Sequence, residues 1–181
     1  MKKFLSFIWE ITKISIIALV IVVPIRYFLF QPFFVRGQSM EPNFENGDYL
    51  IVDEISYRFR EPQRGEVVVF KYPQNPSQRF IKRIIGLPGE TIEIKDGKIT
   101  ISKDGNSQVL NESEYLSFSL YTSGNISVAL DKDEYFVLGD NRAFSFDSRR
   151  FGVLSKEEII GRTFLRAWPF TSLSKFETPT Y

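Results

Sequence analysis

The sequence predicts a mostly β protein with a smaller inserted β region, preceded by one N-terminal membrane-spanning helix. Three observations predict it. An apolar stretch runs from Ile14 to Phe30, a series of short β-branched or aromatic runs follows, and a Ser/Asn/Gly-rich stretch interrupts that series at 103–126. This divides the chain into a short N-terminus (1–13), an anchor (14–30), a β core (31–102 and 127–170), the polar insertion (103–126) and a tail (171–181).

The anchor comes first. Its 17 residues carry a single charge, Arg26, and would reach roughly 25 Å as a helix, the short end of a bilayer span. Trp9 and Tyr27 suit the two interfaces, and Arg26 can reach toward head groups. A cleaved leader would need small residues after the apolar run, and Gln31-Pro32-Phe33-Phe34-Val35-Arg36 offers none. Lys2 and Lys3 compete with Arg26 and Arg36 under the positive-inside tendency; a cytoplasmic N-terminus is the expectation adopted, which places everything beyond Phe30 on the far side of the membrane. Phe33, Phe34 and Phe170 suggest an aromatic surface dipping into that bilayer.

Strands are then expected at Asp48–Val52, Glu66–Tyr72, Arg79–Gly86, Thr91–Lys95, Lys98–Ile101, Tyr135–Leu138 and Arg162–Ala167. Asp96-Gly97 between two of them is a strong hairpin signal. Helical periodicity after the anchor is weak, with Lys156–Ile160 the one candidate.

Composition limits the chemistry. The 181 residues include no His and no Cys. This removes disulfides, thiolate nucleophiles, imidazole bases and zinc sites of the usual kinds. Net charge is +1, giving no bulk basic field for nucleic acid. A serine nucleophile in such a chain needs another base, and the natural one is a lysine whose pKa is lowered by burial. Lys82 qualifies, because Arg79-Phe80-Ile81-Lys82-Arg83-Ile84-Ile85-Gly86 is an apolar strand in which it shares a face with Phe80 and Ile84. As an edge-strand lysine it would simply snorkel, so a partner serine matters. Ser39 is the best one, in the turn Val35-Arg36-Gly37-Gln38-Ser39-Met40-Glu41-Pro42, where both its hydroxyl and its N–H can be exposed. Ser172-Leu173-Ser174-Lys175 matches an S-x-x-K pattern but lacks the companion motifs that would give it meaning.

A third block, Leu138 to Gly152, packs two Asp, Asn, two Ser and three Arg among Phe144, Phe146 and Phe151. Such charges near a core must pair, as Asp147 can with Arg149, and Ser145 suits a hydrogen bond to a neutral lysine amine.

Three blocks in order, Gly37–Pro42, Phe80–Glu90 and Gly139–Arg149, together closely resemble the type I signal peptidases, membrane-bound Ser-Lys endopeptidases. Gly47–Val52 and Arg64–Phe70 match the strands between the first two. The resemblance implies a signal-peptidase-type β catalytic core, with Ser39 as nucleophile and Lys82 as general base. Ser145 would orient the Lys82 amine, with Asp147 and Arg149 in support and Asp140 and Arg83 beside them. It also implies signal peptides of secretory preproteins as substrates, a lipid bilayer as partner, the plasma (inner) membrane as location, and neither metal nor organic cofactor; mitochondrial inner-membrane peptidases share the same Ser-Lys pattern. Val35, Met40, Phe44 and Ile81 are expected to wall shallow pockets for small side chains. The chain departs from the family at Asn43-Phe44, often Thr-Leu, and at Gly37, where some members carry a serine that donates to the oxyanion. A self-cleaving repressor shares this core, but would carry a DNA-binding helix-turn-helix where this chain is lipophilic. A non-catalytic tethered β-domain would have no special need of Lys82.

Overall fold

The computed structural model describes residues 2–28, 30–116, 121–176 and 178–179, with the side chains of 2, 5, 23–28 and 30 outside that description. It begins with helix α1 (Lys2–Phe28). From Ile14 to Val22 every residue is exposed, with Ser15 the sole polar one. Among the described residues no helix is long and apolar enough to cross a membrane. The side chains at 23–30, the second half of the expected anchor, lie outside the described residues.

Two antiparallel sheets follow. The larger runs β1 (Phe30–Phe34), β2 (Tyr49–Asp53), β11 (Ile159–Trp168), β3 (Val67–Tyr72), β4 (Asn75–Gly86), β9 (Glu134–Leu138) and β10 (Leu154–Ser155), with β12 (Ser174–Lys175) added to β11. The smaller runs β7 (Asn106–Val109), β6 (Lys98–Lys103), β5 (Thr91–Lys95) and β8 (Ile126–Ala129). The mostly β class is thus observed.

Period-2 patterning accounts for the centre of the larger sheet. β3 is buried on both faces: Val67 and Val69 join a core cluster with Val35, Met40, Phe44, Leu50, Val52 and Ile81. Val68 and Phe70 point the other way, into a cluster with Ile84, Tyr135, Val137 and Leu154. A third cluster, with Ile92, Ile94, Ile99 and Ile101 of the smaller sheet, packs against Ile85, Phe136 and Leu138.

The smaller sheet uses the same turn twice. Asp96-Gly97 and Asp104-Gly105 all have positive φ, and they link Lys95 to Lys98 and Lys103 to Asn106. Two successive positive φ values are the primed hairpin geometry that matches strand twist. Gly97 is held for a second reason, since a Cβ there would run into the Tyr121 ring. Of the helical candidate Lys156–Ile160, Lys156–Glu158 forms one 3-10 turn with a capping box from Ser155 and Glu158, while Ile159 and Ile160 already belong to β11.

β4 is longer than its partners. It pairs with β3 from Asn75 to Arg83, but with β9 only at Arg83, Ile84 and Gly86. From Asn75 to Lys82 its second edge therefore carries no strand among the described residues.

Candidate active site

Ser39 sits in the turn that follows β1. Val35 accepts from Gly47 N–H and donates to the Asp48 carbonyl, both at 2.9 Å, so the chain is fixed on either side of the turn. Gly37 has φ +88 and donates its N–H to Asn46 Oδ1 at 2.9 Å. This conformation favours glycine. Met40 and Phe44, nearly without exposure, plug into the core beneath and direct Ser39 outward. Among the described residues, the Ser39 N–H makes no hydrogen bond, while its carbonyl accepts from Asn141 N–H at 3.1 Å.

Lys82 approaches along β4. Its Nζ lies 2.7 Å from Ser39 Oγ and 2.8 Å from the Ile81 carbonyl, and it is 4% exposed. Burial lowers its pKa from 10.5 to about 8, against the opposing pull of the Asp147 and Asp140 charges. A neutral amine here can donate to Ile81 O while its lone pair faces the serine hydroxyl.

The loop after β9 supplies the surrounding charges. Asp140, fully buried, accepts from Arg83 Nε at 2.8 Å and Nη2 at 2.6 Å. It also accepts from Asn43 Nδ2 at 2.9 Å, so the position that departs from the usual Thr holds this carboxylate. Asp147 accepts from Arg149 Nε at 2.8 Å and Nη2 at 2.9 Å, and from Gly139 N–H at 3.1 Å. Burial alone would raise the Asp147 pKa, but the Arg149 hydrogen bonds and charge outweigh it and the net direction is down. Ser145 Oγ is buried without a hydrogen bond of full geometry, although it helps hold the Asp147 carboxyl down. No hydrogen bond joins it to Lys82. It packs instead where a Gly139 side chain would be.

Gly139 is consequently irreplaceable for steric reasons. A Cβ there would overlap both Ser145 Oγ and the Ser39 carbonyl. Gly139→Ala is expected to cost about 1–3 kcal/mol through overpacking and to displace the Ser39 turn. Urea unfolding measures the first effect, and a variant as stable as wild type would contradict it.

The dyad opens into a groove of about 560 Å³ whose walls include Phe34, Arg36, Arg79, Ile81, Phe144 and Phe146. Of the four residues expected to wall it, Ile81 does so. Val35, Met40 and Phe44 lie in the core behind, at 0–3% exposure. The turn that points Ser39 outward points its apolar neighbours inward. Phe144 and Phe146 were legible as aromatic but not as groove walls, because only the fold of the 139–149 loop brings them to the dyad. Arg142, Glu112 and Thr122 also escape the sequence reading. Arg142, 1% exposed, donates to both Glu112 carboxylate oxygens at 2.5 and 2.7 Å and to Thr122 Oγ1 at 2.6 Å. An acid and a threonine in a polar stretch give no sign of such a partner.

The chain is similar to known proteins over most of its length. The family model for signal peptidase, peptidase S26, matches residues 8–168. The chain is 38% identical over 165 residues to a protein of Synechocystis sp. named Probable signal peptidase I-2, covering 88% of this chain and 73% of that one. It is 39% identical over 171 residues to signal peptidase I of Leptolyngbya laminosa, covering 90% and 81%. Signal peptidase I V of Bacillus subtilis is 35% identical over 155 residues, covering 81% and 91%. A match over most of the chain, together with a groove that holds a serine against a buried lysine, leads to one conclusion: this chain belongs to the signal peptidase family, peptidase S26.

Proposed function

We propose that the chain is a membrane-anchored serine endopeptidase that removes N-terminal signal peptides from exported preproteins, with Ser39 as nucleophile and Lys82 as general base. One observation carries this reading: a buried lysine amine, its pKa lowered to about 8, stands 2.7 Å from a serine hydroxyl at the mouth of a groove. The substrate lies extended along the open edge of β4, adding one strand through main-chain hydrogen bonds. Neutral Lys82 takes the Ser39 proton as Oγ attacks the scissile carbonyl, and the Ser39 N–H donates to the oxyanion. The Lys82 ammonium then returns that proton to the leaving amine, and the neutral amine activates a water that hydrolyses the acyl-enzyme. Asp147 and Arg149 fix the loop behind the lysine, and Ser145 of the same loop would orient its amine. Ile81 and Phe146 limit the size of the side chains beside the scissile bond, which selects by rejecting bulk.

Anchoring by α1 is part of the proposal. Its described apolar side chains are exposed from Ile14 to Val22, and water would be a costly neighbour at about 25 cal/mol per Å². Lipid removes that cost. Phe34, Trp168, Phe170 and Leu173 are exposed as well, at 53–74%, and suit the same interface. A cytoplasmic N-terminus then sets the groove on the extracytoplasmic side.

The test is incubation of the detergent-solubilised protein with a secretory preprotein. Cleavage after a small-x-small site by the wild type, absent in Ser39→Ala, is expected. A wild type that leaves the preprotein intact would refute the proposal. Because the base must be neutral, kcat/KM should climb as pH rises through about 8. A rate profile flat from pH 6 to 9 would assign the base to some other group.

A further inference from the structure

The polar stretch between β7 and β8 remains without a role in the mechanism, although it reaches the site at several points. Glu112 and Thr122 bind Arg142, and Ser123 accepts from Arg149 Nη1 through its carbonyl at 3.2 Å. Tyr115 lies under Arg83, 4.0 Å from ring centroid to guanidinium carbon. Its carbonyl accepts from Asn43 Nδ2 at 2.8 Å.

Resting on the function proposed above, we infer that Glu112 is a positioning residue, which acts through Arg142 to hold the Ser39 turn in its reactive place. The links are continuous. Glu112 clamps the Arg142 guanidinium in bidentate fashion at 2.5 and 2.7 Å. Arg142 Nε in turn donates to the Gly139 carbonyl at 3.0 Å, and the Arg142 carbonyl accepts from Arg149 Nη2 at 2.8 Å. Between these two anchor points lies Asn141, whose N–H donates to the Ser39 carbonyl at 3.1 Å and whose Nδ2 donates to the Gln38 carbonyl at 3.0 Å. A side chain at position 139 would run into the same Ser39 carbonyl, so the glycine leaves it room.

A guanidinium with 1% exposure stays in place only while its charge is matched. Planar bidentate pairing also sets its orientation, so the carboxylate fixes a direction as well as neutralising a charge. Without Glu112 the guanidinium must turn toward water, and the Gly139 and Asn141 contacts loosen with it. A displacement of about 1 Å at a reacting group can cost about 100-fold in rate. Of the groove walls, Phe34, Arg36, Arg79 and Ile81 come from other segments and are left alone, while Phe144 and Phe146 share the loop of Arg142, so the loss falls mainly on kcat.

The experiment compares wild type with Glu112→Ala and Glu112→Gln on a preprotein in detergent, together with thermal unfolding and amide exchange at Asn141. Glu112→Ala should lower kcat roughly 10- to 100-fold with KM within about twofold. Exchange at the Asn141 N–H should accelerate. Glu112→Gln, which keeps an acceptor of the same shape, should recover part of both. A folded Glu112→Ala with unchanged kcat, or with its whole defect in KM, would overturn the inference. If Glu112→Ala does not fold, Glu112→Gln decides, and wild-type kcat together with wild-type Asn141 exchange in that variant would overturn it equally. Failure of the underlying reading looks different, since the wild type itself would then leave the preprotein uncut.

Discussion

Lys82→Met should lower preprotein cleavage by at least about 10⁴-fold while making the protein more stable, by up to about 3 kcal/mol at pH 7. The first effect follows from the role of the amine. Without a base 2.7 Å away, the Ser39 hydroxyl keeps its proton and attack stops. The second follows from burial. Folding lowers the Lys82 pKa from 10.5 to about 8, so the charged form is disfavoured in the native state and the unfolded chain binds more protons between these values. Stability from this group is fully present above pH 10.5 and is lost as pH falls toward 8, with the full cost persisting below. At about 1.36 kcal/mol per pKa unit the cost is about 3 kcal/mol. Methionine fills nearly the same volume and carries no charge. Urea unfolding at pH 7 and at pH 10.5 checks this, and the gain should shrink at the higher pH. Ser39→Ala should match the loss of activity without matching the gain in stability. Cleavage by Lys82→Met within tenfold of wild type would eliminate the dyad.

Asp140→Ala should cost about 3–5 kcal/mol. Its carboxylate is fully buried and accepts two hydrogen bonds from Arg83 and one from Asn43. Removing it strips a guanidinium of 5% exposure of two charge-assisted hydrogen bonds in a low-dielectric setting, where a charge is expensive. Asp140→Asn keeps the shape and loses the charge, so it should fall between. A double replacement, Arg83→Met with Asp140→Leu, should restore much of the stability, because neither charge then needs matching. A loss below 1 kcal/mol in Asp140→Ala would mean that water already reaches the pair.

What the sequence revealed depended on whether the deciding forces were local. β3 and β5 were legible because β-branched residues alternate or run together and Asp96-Gly97 closes a hairpin. β7 was not, although Asp104-Gly105 carries the same turn signal, because all four of its residues are exposed and three of them are polar. β10 and β12, two residues each, exist only through their partners. In the site, Lys82 stood out as a lysine in an apolar strand and Ser39 as a serine in a constrained turn. Their approach to 2.7 Å is a tertiary fact. Val35, Met40 and Phe44 were expected beside the substrate because they are close to Ser39 in sequence, but a turn sends consecutive side chains in opposite directions. The bonds that Glu112 and Thr122 make to Arg142 span 30 and 20 positions, and no local pattern encodes them.

The open edge of β4 is also a hazard of self-association. A row of unpaired backbone N–H and C=O groups will accept any extended chain, including the same strand of another copy. The exposed outer half of this strand, Asn75-Pro76-Ser77-Gln78-Arg79, is poorly suited to such pairing. Pro76 has no N–H to give, and Arg79 would face an identical charge in a symmetric pairing. These residues disfavour pairing between copies, while the edge from Phe80 to Lys82 carries no strand among the described residues. The exclusion of sister chains is thus written a few residues away from the stretch that must remain unguarded.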